Sequence, residues 1–176
     1  WRDVERAALS YGYGLSVSAV QLAQAYAVLA NDGVKVPLTL KKVDGIPQGE
    51  QVLGKTTARQ LVQMLETVVS RVGTARRAQV PGYQVAGKTG TVHKVVAGGY
   101  ADDNYIGLFA GLAPATDPRI VTVVVIDDPR GEDYYGGLVA APAFSNIMSG
   151  VLRTLHVPPD KPEGLLAGGP DPEDRS

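Results

Sequence analysis

The chain has 176 residues and a formal net charge of −1 at pH 7, which is enough length for one domain with a buried core. Its charges are mixed along the sequence, so it lacks the basic patch that a nucleic-acid partner requires. With no cysteine and two histidines, His93 and His156, disulfides and thiolate metal sites are excluded and a histidine-based metal cluster is not expected. We therefore expect no metal, no cofactor and no nucleic-acid partner.

The first predicted element is a helix over residues 16–33. Ser18 and Gln21 have the spacing of a capping box, and Gly33 suits the end of the helix. The apolar stripe of the helix is formed by Leu22, Tyr26 and Leu29.

The opening "WRDVERAALS" has neither an initiator methionine nor a signal peptide, and no apolar run in the chain is long enough to span a bilayer. We expect a piece of a longer protein, with any targeting segment upstream.

A strand and a second helix are predicted next. The segment "VPLTLKKV", residues 36–43, reads as a strand that ends at the turn "DGIPQGE". Residues 57–72 read as a helix, in which Thr57 and Gln60 repeat the capping-box spacing and which Gly73 ends. Its predicted apolar face consists of Leu61, Met64, Leu65, Val68 and Val72.

Three extended segments follow. The first, "YQVAGKTGTVHKV", is β-branched, and "RIVTVVVID" is a continuous apolar run, as expected of a central strand covered on both faces. Because the three segments are close in sequence, an antiparallel meander is the simplest arrangement. The middle segment, "NYIGLFAGLAP", alternates, and on one face it places Ile106, Leu108, Ala110 and Leu112.

A final helix is predicted from about Ala141 to Leu155, with Pro142 in its first turn. Residues 157–176 are rich in proline, glycine and acid, and predict a disordered tail. The order of the elements predicts one α+β domain over residues 1–156, with helices packed on a mainly antiparallel sheet. The apolar face of the final helix is expected to be Phe144, Met148, Val151 and Leu155.

The stretch "GYQVAGKTGT", residues 82–91, fits two unrelated motifs. Its first eight residues match the phosphate loop of nucleotide hydrolases, and its last four, KTGT, match a motif of penicillin-binding proteins and β-lactamases. A phosphate loop leads from a buried strand into a helix, whereas Gly90, Thr91 and Val92 oppose a helix. Asp127, which could hold magnesium at the end of an apolar strand, is more simply the start of the turn "DDPRGED". The residues favour the KTGT interpretation.

Each KTGT position suits a strand that binds a peptide. Lys88 would place a cation beside the catalytic groups, and the hydroxyls of Thr89 and Thr91 could donate to a carboxylate. Gly90 lacks a side chain, so a peptide could pair with the strand there, and the Thr91 N–H could stabilise an oxyanion. Lys88 and Gly90 share one face of the pleat and the threonines share the other. The motif therefore works only at a sheet edge; an exposed polar strand or turn is the plain alternative.

The surroundings of KTGT extend the match. "GYGLSVSAVQLAQAYAVLANDG" resembles the helix that precedes the KTG strand in class B penicillin-binding proteins, "FAGLAPATDPRIVTVVVIDDP" resembles their next two strands, and "YYGGLVAAPAFSNIM" resembles the start of their final helix. The correspondence runs in order to about Pro159. The chain is most similar to the septal, cell-division type.

This resemblance implies a D,D-transpeptidase that cross-links peptidoglycan stem peptides through an acyl-serine and is acylated by β-lactams. It implies catalytic roles for Lys88 and Thr91 and substrate binding by Thr89 and Gly90. It also implies cell-division proteins as partners, and a location at the periplasmic face of the bacterial inner membrane, with the anchor upstream.

An aromatic wall is a further implication of the resemblance, through Tyr105, Tyr134 and Tyr135, with Gly136 beside it. Ordinary packing with a hydrated hydroxyl is the alternative for each tyrosine. His93 stands where relatives often carry arginine, and we expect it to be a surface histidine. His156 is also expected at the surface.

The family's nucleophile motif, S-x-x-K, is missing, since none of the serines has lysine three residues on, and S-x-N does not occur. We expect an upstream part of the same protein to supply the nucleophile and two more strands. Two alternatives stay open: a non-enzymatic division or wall-binding module, and a serine D,D-carboxypeptidase or β-lactamase.

Overall fold

A three-stranded antiparallel sheet forms the centre of the computed structural model, which describes residues 2–10, 12, 14–45, 47–96 and 99–161. In chain order, the elements are α1 (Asp3–Ser10), α2 (Ala19–Ala30), β1 (Val34–Lys35), β2 (Glu50–Gln51), α3 (Lys55–Val68), β3 (Ala86–Val96), β4 (Gly99–Ala113), β5 (Ile120–Asp127) and α4 (Gly136–Thr154). A 3₁₀ turn, Arg76–Ala78, lies between α3 and β3.

The predicted meander is confirmed, but its central strand is a different one. The sheet order is β3-β4-β5, so the middle strand is β4, and the apolar run of β5 lies at one end of the described sheet. Helix α4 packs on one face of β5 and α2 packs on the other. A continuous apolar run indicates that helices cover both faces of the strand. It does not indicate whether the strand has one or two neighbours in the sheet.

The core lies on both faces of the sheet. On the α4 face, the rings of Phe109 and Phe144 meet edge to face with their centroids 4.7 Å apart. On the opposite face, Leu112 packs with Val62 of α3, and Tyr26 of α2 covers them. Phe109 and Leu112 therefore point to opposite faces, as the alternation of β4 predicts.

The capping box of α2 is confirmed. The Gln21 N–H donates to the Ser18 hydroxyl at 3.3 Å, and the Ser18 N–H donates to the Gln21 side-chain oxygen at 2.8 Å. Helix α3, in contrast, begins after Gly54, which makes no side-chain cap hydrogen bond. The predicted capping box of Thr57 and Gln60 is wrong because the helix begins before Thr57.

The predicted apolar face of α3 is also partly wrong. Met64 is 64% exposed and Val72, which lies beyond the helix, is 97% exposed. The buried positions are instead Ala58 and Val62, which are four residues apart and face the sheet. The apolar stripe of α3 is broader than the face that the sheet covers.

Three further predictions need correction. Helix α4 begins at Gly136, so Pro142 lies inside the helix and not in its first turn. Leu155, predicted on the apolar face of this helix, is exposed, and Leu152 is buried instead. The strand predicted over residues 36–43 is not formed, since β1 ends at Lys35 and pairs with β2. Pro37 has no N–H to donate to a ladder, which disfavours a paired strand there.

The predicted tail is ordered at its start. Val157 packs against the core, and the Tyr83 hydroxyl donates to its carbonyl at 2.6 Å. The predicted disorder is therefore wrong for residues 157–161, because two prolines reduce the freedom of the chain without preventing it from docking. Residues 162–176 lie outside the described part of the chain.

Candidate functional site

The KTGT residues lie in the middle of β3, at the end of the sheet opposite β5. Among the described residues β3 pairs only with β4, so its other edge is open along Lys88, Thr89, Gly90 and Thr91. No helix follows the Gly82–Thr89 stretch, which runs into a strand, so the phosphate-loop interpretation is excluded. The open edge is the surface to which an extended peptide could pair.

Lys88 reaches around this open edge. Its side chain is exposed, and its Nζ donates to the Thr89 carbonyl at 3.1 Å and to the Thr89 hydroxyl at 3.3 Å. Because Lys88 and Thr89 lie on opposite faces of the pleat, the lysine stem has to cross the edge to make these contacts. A cation and a hydroxyl thus meet at one point on the edge.

A second threonine joins this point from outside the motif. The Thr74 hydroxyl lies 3.3 Å from the Thr89 hydroxyl. Thr74 is held in the turn after α3, where the neighbouring Ala75 N–H donates to the Val68 carbonyl at 3.0 Å. Thr74 and Thr89 are 15 residues apart, and no local sequence pattern indicates their contact.

The start of α4 is bonded to the same strand. The Gly136 N–H donates to the Thr91 hydroxyl at 3.0 Å, and Gly136 itself is buried. A Cβ at Gly136 would collide with the carbonyl oxygens of Gly90 and Leu108. Gly136 therefore lies beneath the open edge and allows the helix to approach it closely, while Thr91 keeps its hydroxyl proton for another acceptor.

The three tyrosines form one stack beside the strand. The ring centroids of Tyr105 and Tyr134 are 4.0 Å apart, and those of Tyr134 and Tyr135 are 4.4 Å apart. The Tyr134 hydroxyl donates to the Tyr135 hydroxyl at 3.1 Å. This hydrogen bond is the largest of the effects that raise the pKa of Tyr134 to about 12. Tyr134 is therefore neutral at physiological pH.

His93 extends this stack, which sequence reasoning did not expect. Its ring is half-buried and lies 4.5 Å from that of Tyr105, at an angle of 43°. His93 and Tyr105 are also cross-strand partners in the register of β3 and β4. A histidine in this position is part of the aromatic surface and not an isolated surface residue.

Polar contacts join the later part of β3 and the middle of β4 to the end of β5, beside the aromatic stack. The Lys94 ammonium lies 2.8 Å from the Asp127 carboxylate, which is the largest effect raising the pKa of Lys94. The Asn104 amide donates to the Asp128 carboxylate at 2.7 Å, and the Asp128 N–H donates to the Tyr105 carbonyl at 2.9 Å. Asp127 is thus engaged in an ion pair, as a strand end entering a turn.

Two negative findings apply to the described residues. They contain no group of three or more histidine, aspartate or glutamate side chains placed to hold a metal ion. None of the helices described has the length and apolarity needed to cross a membrane.

Comparison with known proteins extends these observations. The chain is 49% identical over 160 residues to the probable peptidoglycan D,D-transpeptidase PbpC of Pseudomonas aeruginosa, covering 91% of this chain and 28% of that protein. It is 46% identical over 160 residues to the peptidoglycan D,D-transpeptidase FtsI of Escherichia coli, covering 91% of this chain and 27% of FtsI. The chain therefore spans little more than a quarter of these relatives.

A solved structure gives the same result for the fold. The apo transpeptidase domain of penicillin-binding protein 3 from Burkholderia pseudomallei superposes with a TM-score of 0.85 at 48% identity, covering 91% of this chain and 49% of that one. The family model described as the penicillin-binding protein transpeptidase domain matches residues 1–149. Because this family model matches most of the chain and the KTGT strand lies on a sheet edge, the chain belongs to the penicillin-binding protein transpeptidase family.

Proposed function

We propose that this chain is the substrate-binding side of a peptidoglycan D,D-transpeptidase active site. The observation that carries the proposal is the open edge of β3, where Lys88, Thr89 and Thr74 meet and where α4 is bonded to Thr91. A stem peptide would pair with this edge as an added strand, and Gly90 leaves room for it. Its terminal carboxylate would accept hydrogen bonds from Lys88 and Thr89.

In the proposed reaction, a serine hydroxyl from the upstream part attacks the carbonyl of the D-Ala-D-Ala bond. The serine oxygen forms an ester with the penultimate residue, the serine proton is passed to the leaving amine, and D-Ala departs. An amine of a neighbouring stem peptide then attacks the ester, forms the cross-link and returns the proton to the serine. The Thr91 N–H would stabilise the oxyanion in both steps. A β-lactam would acylate the same serine.

The aromatic stack gives the pocket a second wall. Tyr105, Tyr134 and Tyr135 offer stacked faces, and Tyr135 is 54% exposed. Gly136 contributes by holding the helix close to the strand, so we assign it a supporting role at the substrate site. Apolar groups of a peptide or drug would pack on these faces.

The upstream part of the protein would supply the serine nucleophile, and an anchor that holds the domain at the periplasmic face of the inner membrane. Cell-division proteins are its proposed partners. The names of the relatives PbpC and FtsI support the transpeptidase assignment. The sequence of this chain supports placing the nucleophile in the upstream part, since S-x-x-K does not occur among these 176 residues.

The test uses the complete protein and a fluorescent penicillin. Lys88→Ala should lower the acylation rate about 10²-fold or more, because the preorganised cation at the open edge is lost. The exposed Lys42 offers a matched control, and Lys42→Ala should acylate as the wild type does. Unchanged acylation of Lys88→Ala would contradict the assignment. Rapid release of the label with turnover of the drug would favour a carboxypeptidase or β-lactamase instead.

A further inference from the structure

Residues 157–161, here called the strap, run along the segment that leads into β3. The Tyr83 hydroxyl donates to the Val157 carbonyl at 2.6 Å at one end of the strap. At the other end, the Lys161 N–H donates to the Gly82 carbonyl at 2.9 Å. The strap is thus bonded at both ends to the turn at residues 80–84, which precedes β3.

Asp160 makes the central contact of the strap. One of its carboxylate oxygens accepts the Gln84 N–H at 2.7 Å. The other accepts the Thr116 hydroxyl at 2.7 Å and the Thr116 N–H at 3.4 Å. Hydrogen bonds to a carboxylate are shorter and stronger than those between neutral groups. One charged side chain therefore joins the residues just before β3 to the turn between β4 and β5, beside the backbone hydrogen bond that the Ala115 N–H of this turn donates to the Gln84 carbonyl at 2.9 Å.

The position of β3 depends on its ends more than that of β4 does. As an edge strand, β3 has one neighbour among the described strands, whereas β4 has two. Gln84 lies four residues before Lys88 on a continuous stretch, so the two are separated by roughly 13 Å of extended chain. We expect a shift at Gln84 to be transmitted along the strand, because no described strand pairs with the outer side of β3.

We propose that Asp160 is a positioning residue for the KTGT strand, which it holds in place by fixing the start of β3 to the β4–β5 turn. The activity part of this inference rests on the proposed function, and the structural part does not. The hydrogen bonds of Asp160 among the described residues go to Gln84 and Thr116, neither of which is proposed to bind substrate. It acts through Gln84 and the strand that follows.

Amide hydrogen exchange of the complete protein tests the structural part. Asp160→Asn keeps the size of the side chain and removes its charge, and it should speed exchange of the amides of residues 86–91 about tenfold. Exchange in α2, on the other side of the sheet, should not change. Asp117→Asn is the matched control, since Asp117 lies one residue from Thr116 and makes no hydrogen bond or ion pair among the described residues. Equal acceleration of exchange in β3 and α2, or no acceleration in β3, would overturn the proposal.

Truncation tests the strap without a substitution. Ending the chain after Lys161 should leave both exchange and acylation by a fluorescent penicillin unchanged. Ending it after His156 should speed exchange in β3 and lower the acylation rate at least as much as Asp160→Asn does. If β3 loosens but acylation stays at the wild-type rate, the positioning role is wrong. If the wild type is not acylated at all, the proposed function fails and the exchange data still decide the role of the strap.

Discussion

Thr74 is a residue of the site that no local pattern reveals. Lys88 donates to the Thr89 hydroxyl oxygen at 3.3 Å, and the Thr74 hydroxyl lies 3.3 Å from the same oxygen. A hydroxyl has two lone pairs and one proton. If Lys88 and Thr74 both donate to Thr89, both lone pairs are filled and the Thr89 proton is left to donate to a ligand carboxylate. In that arrangement Thr74 sets the direction of the Thr89 proton.

Replacing Thr74 by valine tests this role, because valine keeps the shape and removes the hydroxyl. We expect Thr74→Val to lower acylation by a penicillin with a free carboxylate about three- to tenfold, the effect of losing about one hydrogen bond. Acylation by the methyl ester of the same drug should change little, and Thr74→Ser should recover the wild-type rate. Thr154→Val is the control, since among the described residues the Thr154 hydroxyl bonds within α4, to the Gly150 carbonyl. Equal losses for acid and ester would show a general structural effect.

At the scale of the elements, the joint between α4 and β3 depends on a glycine. A Cβ at Gly136 would meet the backbone carbonyls of Gly90 and Leu108, which cannot turn away as a side chain can. Gly136→Ala should therefore move α4 outwards and break the hydrogen bond to Thr91, with a loss of about 1–3 kcal/mol in the free energy of unfolding. Gly150→Ala, on the same helix with open space around it, should be neutral or stabilising. Chemical denaturation of both variants measures the difference, and equal stabilities would contradict the proposed joint.

The sequence predicts those elements whose signal is local. The capping box at Ser18 and the alternation in β4 lie within a few residues, so the helix start and the meander follow from them. The contacts of Thr74 and Asp160 cross 15 and 76 residues, and no periodicity encodes them. The same holds for the length of α4, because its start is decided by packing of Gly136 on the sheet and not by Pro142. The motif and its neighbours along the chain identify the KTGT strand and predict a sheet edge, and the structure shows which edge it is, the one opposite β5.

At the scale of the whole molecule, one edge of the sheet, on β5, is open where the proposed upstream part would pack. The outer edge of β5 has no partner among the described strands, and Val125 on this strand is 46% exposed. Ile147 of α4 and Leu155, which directly follows α4, are also exposed. An unpaired strand edge is a template for association with another chain, and exposed apolar side chains add to this tendency. In the complete protein we expect two further strands and their helix to cover this surface.

The chain expressed by itself should therefore self-associate. We expect it to elute from size-exclusion chromatography as oligomers and to bind a hydrophobic dye, whereas the complete protein should do neither. Val125→Lys should reduce the association, because a lysine on an edge strand opposes pairing with another strand. Met64→Lys is a matched control, since Met64 is 64% exposed on α3, away from the β5 edge. A monodisperse monomer without dye binding would mean that this surface needs no cover, and the proposed packing of the upstream part on β5 would be wrong.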